Sequence, residues 1–465
     1  MEQMIVADFV ESIASLLRSW PFIILLVGTG VYLTFLLRGI QFRAAKHAFL
    51  VAAGKVEKNQ DKNGDVSSFQ ALATMLSGTI GTGNIAGVAT AIVAGGPGAV
   101  FWMWITAIVG MAIKFCECTL AHHYRELDTK GEVNGGPMFT LKNGLKMRGL
   151  GVFFAIFALF ASFTTGCIVQ ANSVIDGIVY IVPAARDQAF LVGGILAVLV
   201  GMVVLGGVKR ISKVASIVVP FMAIGYWVAG VVILCAQYQA IPAAFWTIFY
   251  GAFNPEAIGG GAIGAAIQYG VVRALFASEV GQGTSPMALA PTQTQEPVRA
   301  GLLGMIGPYF DALMVSTMTA LVIVLSGAWH PSLENGLNGA GLSVHAFRTG
   351  LETIGTSYAY IGELVVGLGL MFFAYTTIIV WSYFGSRCIN YLFGEKWVLP
   401  YRIVFTCAVV LGACDKLEML WSLADIANIL MCIPNLLAVL LLAGTVRKLA
   451  HEYEKNHGFG LTKKT

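Results

Sequence analysis

Two stretches decide how this chain folds: Ser77-Gly78-Thr79-Ile80-Gly81-Thr82-Gly83-Asn84 and, two hundred residues on, Ser278-Glu279-Val280-Gly281-Gln282-Gly283-Thr284-Ser285-Pro286. Each sits in the middle of a run otherwise apolar enough to be a membrane helix, and each is a poor helix centre. A glycine inside a helix costs about 0.5–1 kcal/mol against alanine, and the first stretch packs three into six residues, beside threonines and an asparagine. In the second, Ser285 followed by Pro286 reads as an N-cap with proline at the first helical position, so a new half-helix is expected to start there. Backbone released from a helix inside hydrocarbon must be buried in protein or line a cavity. One glycine-rich stretch in a span is ordinarily a surface for close helix packing. Two, in matching places of the two halves, point instead to a binding site at the membrane midplane.

Composition supports the membrane setting. Of 465 residues, 57% are hydrophobic and 12% charged, with a mean hydropathy of +0.75; soluble domains run nearer about 45–50% apolar and about 25% charged. A net charge of +4, with scattered Lys and Arg, disfavours nucleic-acid binding. Eight cysteines without a CxxC pair indicate neither a zinc site nor a disulfide framework, and Cys116 and Cys118 read as packing residues. Glu2, Asp8 and Glu11 make an acidic N-terminus with no basic n-region, so the first apolar run is expected to be a retained anchor.

Eleven stretches are long and apolar enough to cross a bilayer: 17–38, 68–94, 98–124, 151–181, 188–207, 213–236, 262–292, 299–327, 354–386, 398–414 and 419–445. Loops after the odd-numbered spans hold 23 of the 29 Lys and Arg; the other side holds Arg18, Arg186, Arg348 and Lys416. Positive charge stays inside, so the N-terminus is expected outside and the Lys463–Lys464 tail in the cytoplasm of a multi-pass protein of the plasma (inner) membrane. Spans 2 and 7 then run in opposite directions. The expected fold is an all-α membrane protein: an anchor and loop at 1–66, five-helix repeats at 67–240 and 241–446 related by inversion, and a cytoplasmic tail at 447–465.

The chemistry of such breaks suits an amino-acid zwitterion. Where a second half-helix begins, free N–H groups and the positive dipole end attract a carboxylate. Where a first half-helix ends, free carbonyls suit an ammonium or a hard cation such as Na⁺. Gln170 and Asn172 in span 4 are mid-membrane amides that either glue helices or touch a ligand. The hydroxyls of Thr376 and Thr377 either bond their own helix or face a cation. Arg273 and Glu279 flank the second break and suggest a gating or break-stabilising ion network. Lys114 and Glu117 are expected to pair on one helix face, and Asp311 to hold helix ends together. Phe163, Phe276, Met371 and Trp381 either shape a pocket or pack. Gly81-x-Gly83-x-x-Ala86 matches a dinucleotide fingerprint by letters, but no strand precedes it and no βαβ unit surrounds it. A channel would want a ring of carbonyls or charges, and an enzyme a reactive constellation at membrane depth. Neither is visible, and no HExxH occurs.

At this point the sequence resembles the alanine/glycine:cation symporter family, the sodium:alanine symporters. Gly95-Gly96-Pro97-Gly98-Ala99-Val100-Phe101-Trp102-Met103-Trp104-Ile105 through Gly110 is similar to the family signature. So are Gly135-Gly136-Pro137-Met138, Val169-Gln170-Ala171-Asn172-Ser173, Arg273-Ala274-Leu275-Phe276, Gly307-Pro308-Tyr309-Phe310-Asp311, and Phe373-Ala374-Tyr375-Thr376-Thr377 with Trp381-Ser382-Tyr383. The likeness covers almost the whole chain. It implies a leucine-transporter-like 5+5 inverted repeat behind one extra N-terminal helix, and Na⁺-coupled symport of a small neutral amino acid into the cell. No catalytic residue or obligatory protein partner is implied; the partners are the substrate and the bilayer.

By that resemblance the carbonyls of Ser77, Ile80 and Phe373 and the hydroxyls of Thr376 and Thr377 would hold Na⁺. Amides at Gly81, Thr82 and Gly83, with Asn84, would take the substrate carboxylate, and carbonyls at Thr79 and Phe276 its amino group. Ser278, Gly281, Gln282, Gln170 and Met371 would complete the substrate site. The second break departs from the family's usual Ser-Asn-Glu-Ala-Gly: here Ala277-Ser278-Glu279-Val280-Gly281-Gln282 brings a bulkier Val280 and a polar Gln282. A larger polar amino acid, or proton coupling through Glu279, are the alternatives this leaves open.

Overall fold

The computed structural model describes residues 2–56, 64–127, 131–253, 263–330, 336–414 and 418–459. Of the basic residues that set the expected orientation, Lys58, Lys62, Lys130, Lys416, Lys463 and Lys464 lie outside the described residues. Apart from a hairpin pairing Glu126–Leu127 with Val133–Asn134, the described chain is helical.

The N-terminal pair is α1 (Glu2–Leu17) and α2 (Trp20–Leu36). The first broken helix is α3 (Ser68–Thr79) and α4 (Ala86–Gly95), followed by α5 (Gly98–His123). Next come α6 (Arg148–Ile181), α7 (Ala189–Val204), α8 (Gly207–Ala236) and α9 (Ile241–Phe253). The second broken helix is α10 (Ile263–Ser278) and α11 (Thr284–Leu289). The remainder is α12 (Pro297–Ser326), α13 (Gly339–Glu352), α14 (Ala359–Phe393), α15 (Val398–Cys414), α16 (Glu418–Leu441) and α17 (Ala443–His457). Among the described residues, eight helices are long and apolar enough to cross a membrane. Alternation of exposed and buried residues along α8 shows the reason for the composition: Ile217, Phe221, Ile224 and Val228 face outward while Val219, Met222 and Tyr226 face the core.

The sequence expectations need local correction. Helices α9 and α13 occupy stretches read as connections, and α17 orders most of a region read as a tail. Helix α14 runs past the expected end at 386 to Phe393 and carries Arg387, which is buried, donating to Asn134 Oδ1 at 2.8 Å and Glu132 Oε2 at 3.1 Å. Two spans carry wide π turns, Thr164–Ile168 within α6 and Tyr309–Ser316 within α12. Such turns let one carbonyl slip out of the ladder, and they cluster at functional sites.

The two broken helices are neighbours. Helix α3 packs on α11 and α4 on α10, so the two run antiparallel with their breaks side by side. A Cβ added at Gly83 would lie 2.9 Å from the Cα of Ala277, which is how closely the two backbones approach. The long helices α5 and α14 pack against this pair.

Candidate functional site

Why the first helix stops is visible in one side chain. Asn84 Oδ1 accepts the Gly81 N–H at 3.0 Å, removing the donor that would have closed the turn onto the Ser77 carbonyl. Thr377 Oγ1 of α14 comes instead to that carbonyl, 3.0 Å from Ser77 O and 2.9 Å from Phe373 O. Thr376 Oγ1 turns back on Phe373 O at 3.0 Å. Ile80, beyond the last helical turn, is extended at ψ 91°. The Ser77 hydroxyl is buried without a hydrogen-bond partner among the described residues. Carbonyls and hydroxyls are the donor set a hard cation takes, so these residues fit Na⁺.

The second break is a run of left-handed turns. Glu279, Gly281 and Gly283 have φ of 51°, 76° and 83°, and only glycine adopts such angles without strain. Gly283 is the N-cap and α11 begins at Thr284; Ser285 and Pro286 are already helical, so the expected cap lies two residues too far along. Glu279 bridges the gap, Oε2 accepting from Thr284 Oγ1 at 2.5 Å and Oε1 from Trp381 Nε1 at 3.0 Å. Gln282 Nε2 donates back to Leu275 O at 3.0 Å, joining the Glu279 N–H, which reaches the same carbonyl at 2.9 Å. Val280 is seated against Gly110 of α5. Each residue from Ser77 to Ile85 and from Ser278 to Ser285 is buried.

Some of the residues read from sequence do not meet. Lys114 Nζ donates to Ser285 Oγ rather than to Glu117, whose Oε2 accepts from Asn435 Nδ2 at 2.6 Å. Arg273 and Glu279 do not form one network: the Arg273 guanidinium lies 5.9 Å from the Trp421 ring, while Glu279 faces Thr284 and Trp381. Met371 lines an apolar recess with Val174, Ile178 and Tyr375, away from both breaks. Asn84 is fully engaged, its Nδ2 donating to Asp311 O at 3.0 Å and Ser316 Oγ at 3.1 Å. Others converge. Gln170 Nε2 donates to the Thr165 carbonyl exposed by the π turn of α6, at 3.2 Å, and its buried Oε1, which has no partner among the described residues, points toward Gly81. Ser278 Oγ donates to Asp311 Oδ1 at 2.7 Å, and Thr79 Oγ1 comes near the same carboxylate without reaching hydrogen-bond geometry. The Thr82 hydroxyl is buried and, among the described residues, unpaired.

Sequence reasoning missed the closures at each end. On one side Phe276 packs on Trp421 with ring centroids 5.2 Å apart, and Arg18 Nη1 holds Asp425 at 3.2 Å. On the other, residues just before α3 are stitched to residues just after α11: Asp65 N donates to Pro291 O at 2.9 Å and Gln293 N to Val66 O at 2.9 Å. Arg125 Nη1 clamps the same strip through Ala290 O and Thr292 O at 2.9 and 3.1 Å. The signal was present, since Asp425, Asn428 and Asn435 are polar residues in an apolar run.

A buried, oxygen-lined site between two broken helices, shut at both ends, is the arrangement of a secondary transporter. The comparisons with known proteins agree. The family model described as the sodium:alanine symporter family matches residues 2–465, and the chain belongs to that family. It is 44% identical over 442 residues to the sodium/alanine symporter AgcS of Methanococcus maripaludis, covering 93% of this chain and 95% of that protein. It is 36% identical to the putative sodium/proton-dependent alanine carrier protein YrbD of Bacillus subtilis, over 98% of this chain and 94% of that one. The probable sodium/glutamine symporter GlnT of Bacillus subtilis is 33% identical over 98% and 93%. The crystal structure of MhsT in complex with L-phenylalanine superposes with a TM-score of 0.56 at 13% identity, covering 83% of this chain and 90% of that one; this likeness shows the fold alone.

Proposed function

We propose that this protein is a Na⁺-coupled symporter that brings a small neutral amino acid, of the alanine or glycine kind, into the cell by alternating access. The observation that carries this reading is the meeting of Thr377 Oγ1 with the Ser77 carbonyl at the first break. A cation held there by Ser77, Ile80, Phe373, Thr376 and Thr377 would tie α3 to α14 and fix the neighbouring backbone against which the zwitterion binds. The substrate would lie across Thr79, Gly81, Thr82, Gly83 and Gln170 on one side and Phe276, Ser278, Gly281 and Gln282 on the other. The Gly81 amide is held by Asn84 in this state, so the amides of Thr82 and Gly83 would meet the carboxylate first. Eight long helices, the two broken ones and α7 make eleven crossings, read as one anchor and two inverted repeats of five at 67–240 and 241–446.

Uptake of radiolabelled alanine, glycine and glutamine into proteoliposomes, with and without replacement of Na⁺ by choline, tests the reading. Saturable uptake that collapses in choline is expected; uptake indifferent to the replacement overturns sodium coupling. Gly81→Leu should abolish substrate binding, because even a Cβ there would lie 3.0 Å from Thr377 Oγ1.

A second reading, coupling to protons, is favoured by a separate observation. Lys114 is buried, and Glu117, Glu279 and Asp311 all lie within its electrostatic reach. Three carboxylates against one ammonium leave room for a bound proton. Uptake driven by an acid-outside pH gradient in Na⁺-free medium is its test.

A further inference from the structure

Where α2 ends, the chain reverses abruptly. Arg38 and Gly39 both take left-handed backbone angles, φ 56° and 64°, and turn Ile40–Arg43 back beneath the last turn of α2. Helix α17 passes this corner, and the two enclose a cavity of about 550 Å³. Its walls are of two kinds. The apolar part is Leu36, Leu37, Ile40 and Phe459; the polar part is Arg38, Arg43, Arg447, Lys448 and His451, against the single carboxylate of Glu454.

That carboxylate is already spoken for. Arg43 pairs with Glu454 and lies with its guanidinium 5.8 Å from the Phe459 ring. The side chains of Arg38, Arg447 and Lys448 are exposed and, among the described residues, make no hydrogen bond or ion pair. Three cations without counter-charge thus converge on an apolar slot at the end of a membrane-crossing helix. Water alone would leave the half-buried Leu36 and Phe459 wetted; a free anion would meet the cations but not the slot.

We propose that this cavity binds an anionic phospholipid, its phosphate held between Arg38 on one side and Arg447 and Lys448 on the other, its upper acyl segments against Leu36 and Phe459. Basic residues beside a transmembrane helix end attract acidic headgroups over a Debye length, and guanidinium groups add paired hydrogen bonds to the phosphate. A zwitterionic lipid brings its own ammonium into the cationic rim and is disfavoured. The inference needs only that α2 ends at a membrane surface. It is independent of which ion or amino acid the protein carries.

Native mass spectrometry of the full-length protein, delipidated and then supplied with equal phosphatidylglycerol and phosphatidylcholine, tests it. The protein is expected to retain one phosphatidylglycerol in preference, and Arg447→Gln/Lys448→Gln to lower that retention on the order of 30-fold. Lys209→Gln/Arg210→Gln removes the same charge from another loop and should leave retention unchanged. Equal retention of both lipids, an equal loss in the Lys209/Arg210 variant, or displacement of the lipid by millimolar inorganic phosphate would each overturn the proposal.

Discussion

Glu279 is the one non-glycine residue of either break with a positive φ, a conformation that costs about 1–3 kcal/mol and persists only where its surroundings over-determine it. Those surroundings are Thr284 and Trp381, each donating a hydrogen bond to one carboxylate oxygen. Glu279→Ala strands both donors and removes one of the counter-charges near Lys114, so a loss of about 3–5 kcal/mol is expected, read as a fall in melting temperature of the detergent-solubilised protein. Thr377→Ala acts differently. It deletes one neutral oxygen from the cation site, worth about 1–1.5 kcal/mol, and should raise the Na⁺ needed for half-maximal uptake by roughly tenfold. Residue identities at the breaks were legible in sequence because glycine and Ser-Pro are strong local punctuation. Partners were not: Lys114 and Glu117 sit three apart on α5, yet each finds its hydrogen bond on another helix, Ser285 and Asn435. Helical spacing reports which residues share a face, and tertiary packing decides whom they touch.

At the level of elements, α5 is shaped to receive the second break. A Cβ at Gly110 would lie 2.7 Å from Val280 Cγ2, closer than packing allows, so Gly110→Ala should destabilise by about 1–3 kcal/mol. In the Val280→Ala background much of that cost should vanish, and a double-mutant cycle on melting temperature measures the coupling. Helix α17 offers a pH-dependent case. Its Tyr453 hydroxyl lies 2.9 Å from Nε2 of His47 in the short helix Ala45–Ala52. Burial, with Arg299 and His457 nearby, holds His47 below its ordinary 6.5. The undocked histidine therefore takes up a proton first as pH falls, and docking of α17 weakens below that value. Backbone amide exchange in α17, corrected for intrinsic rates, should accelerate on going from about pH 7.5 to about pH 5.5, and His47→Phe should remove the dependence. The long apolar helices were legible from length and hydropathy. Helices α9, α13 and α17 were not, since a short helix that covers a site or a membrane edge carries no 20-residue apolar signature.

For the whole molecule, the antiparallel packing of α3 on α11 and of α4 on α10 puts strict limits on topology. If the chain crosses the membrane once between α3 and α4 and once between α10 and α11, an even number of crossings must separate the two helices' like-facing ends, and four spans between them satisfy this. Helices α5 to α8 supply the four. The stitched ends, Asp65 with Pro291 and Val66 with Gln293, then lie on one side, and the Phe276–Trp421 pair on the other. Arg125, Arg387 and Arg299 all belong to the stitched side, and on the distribution of positive charge we propose that this side faces the cytoplasm. The assignment has a direct check. In a background with the exposed Cys235, Cys407 and Cys414 replaced, Gln237→Cys between α8 and α9 should react with a membrane-impermeant maleimide added outside intact cells, whereas Lys209→Cys at the other end of α8 should react only after permeabilisation. The reverse pattern would invert the molecule in the bilayer, and with it the direction in which the stitched face must open to release its cargo.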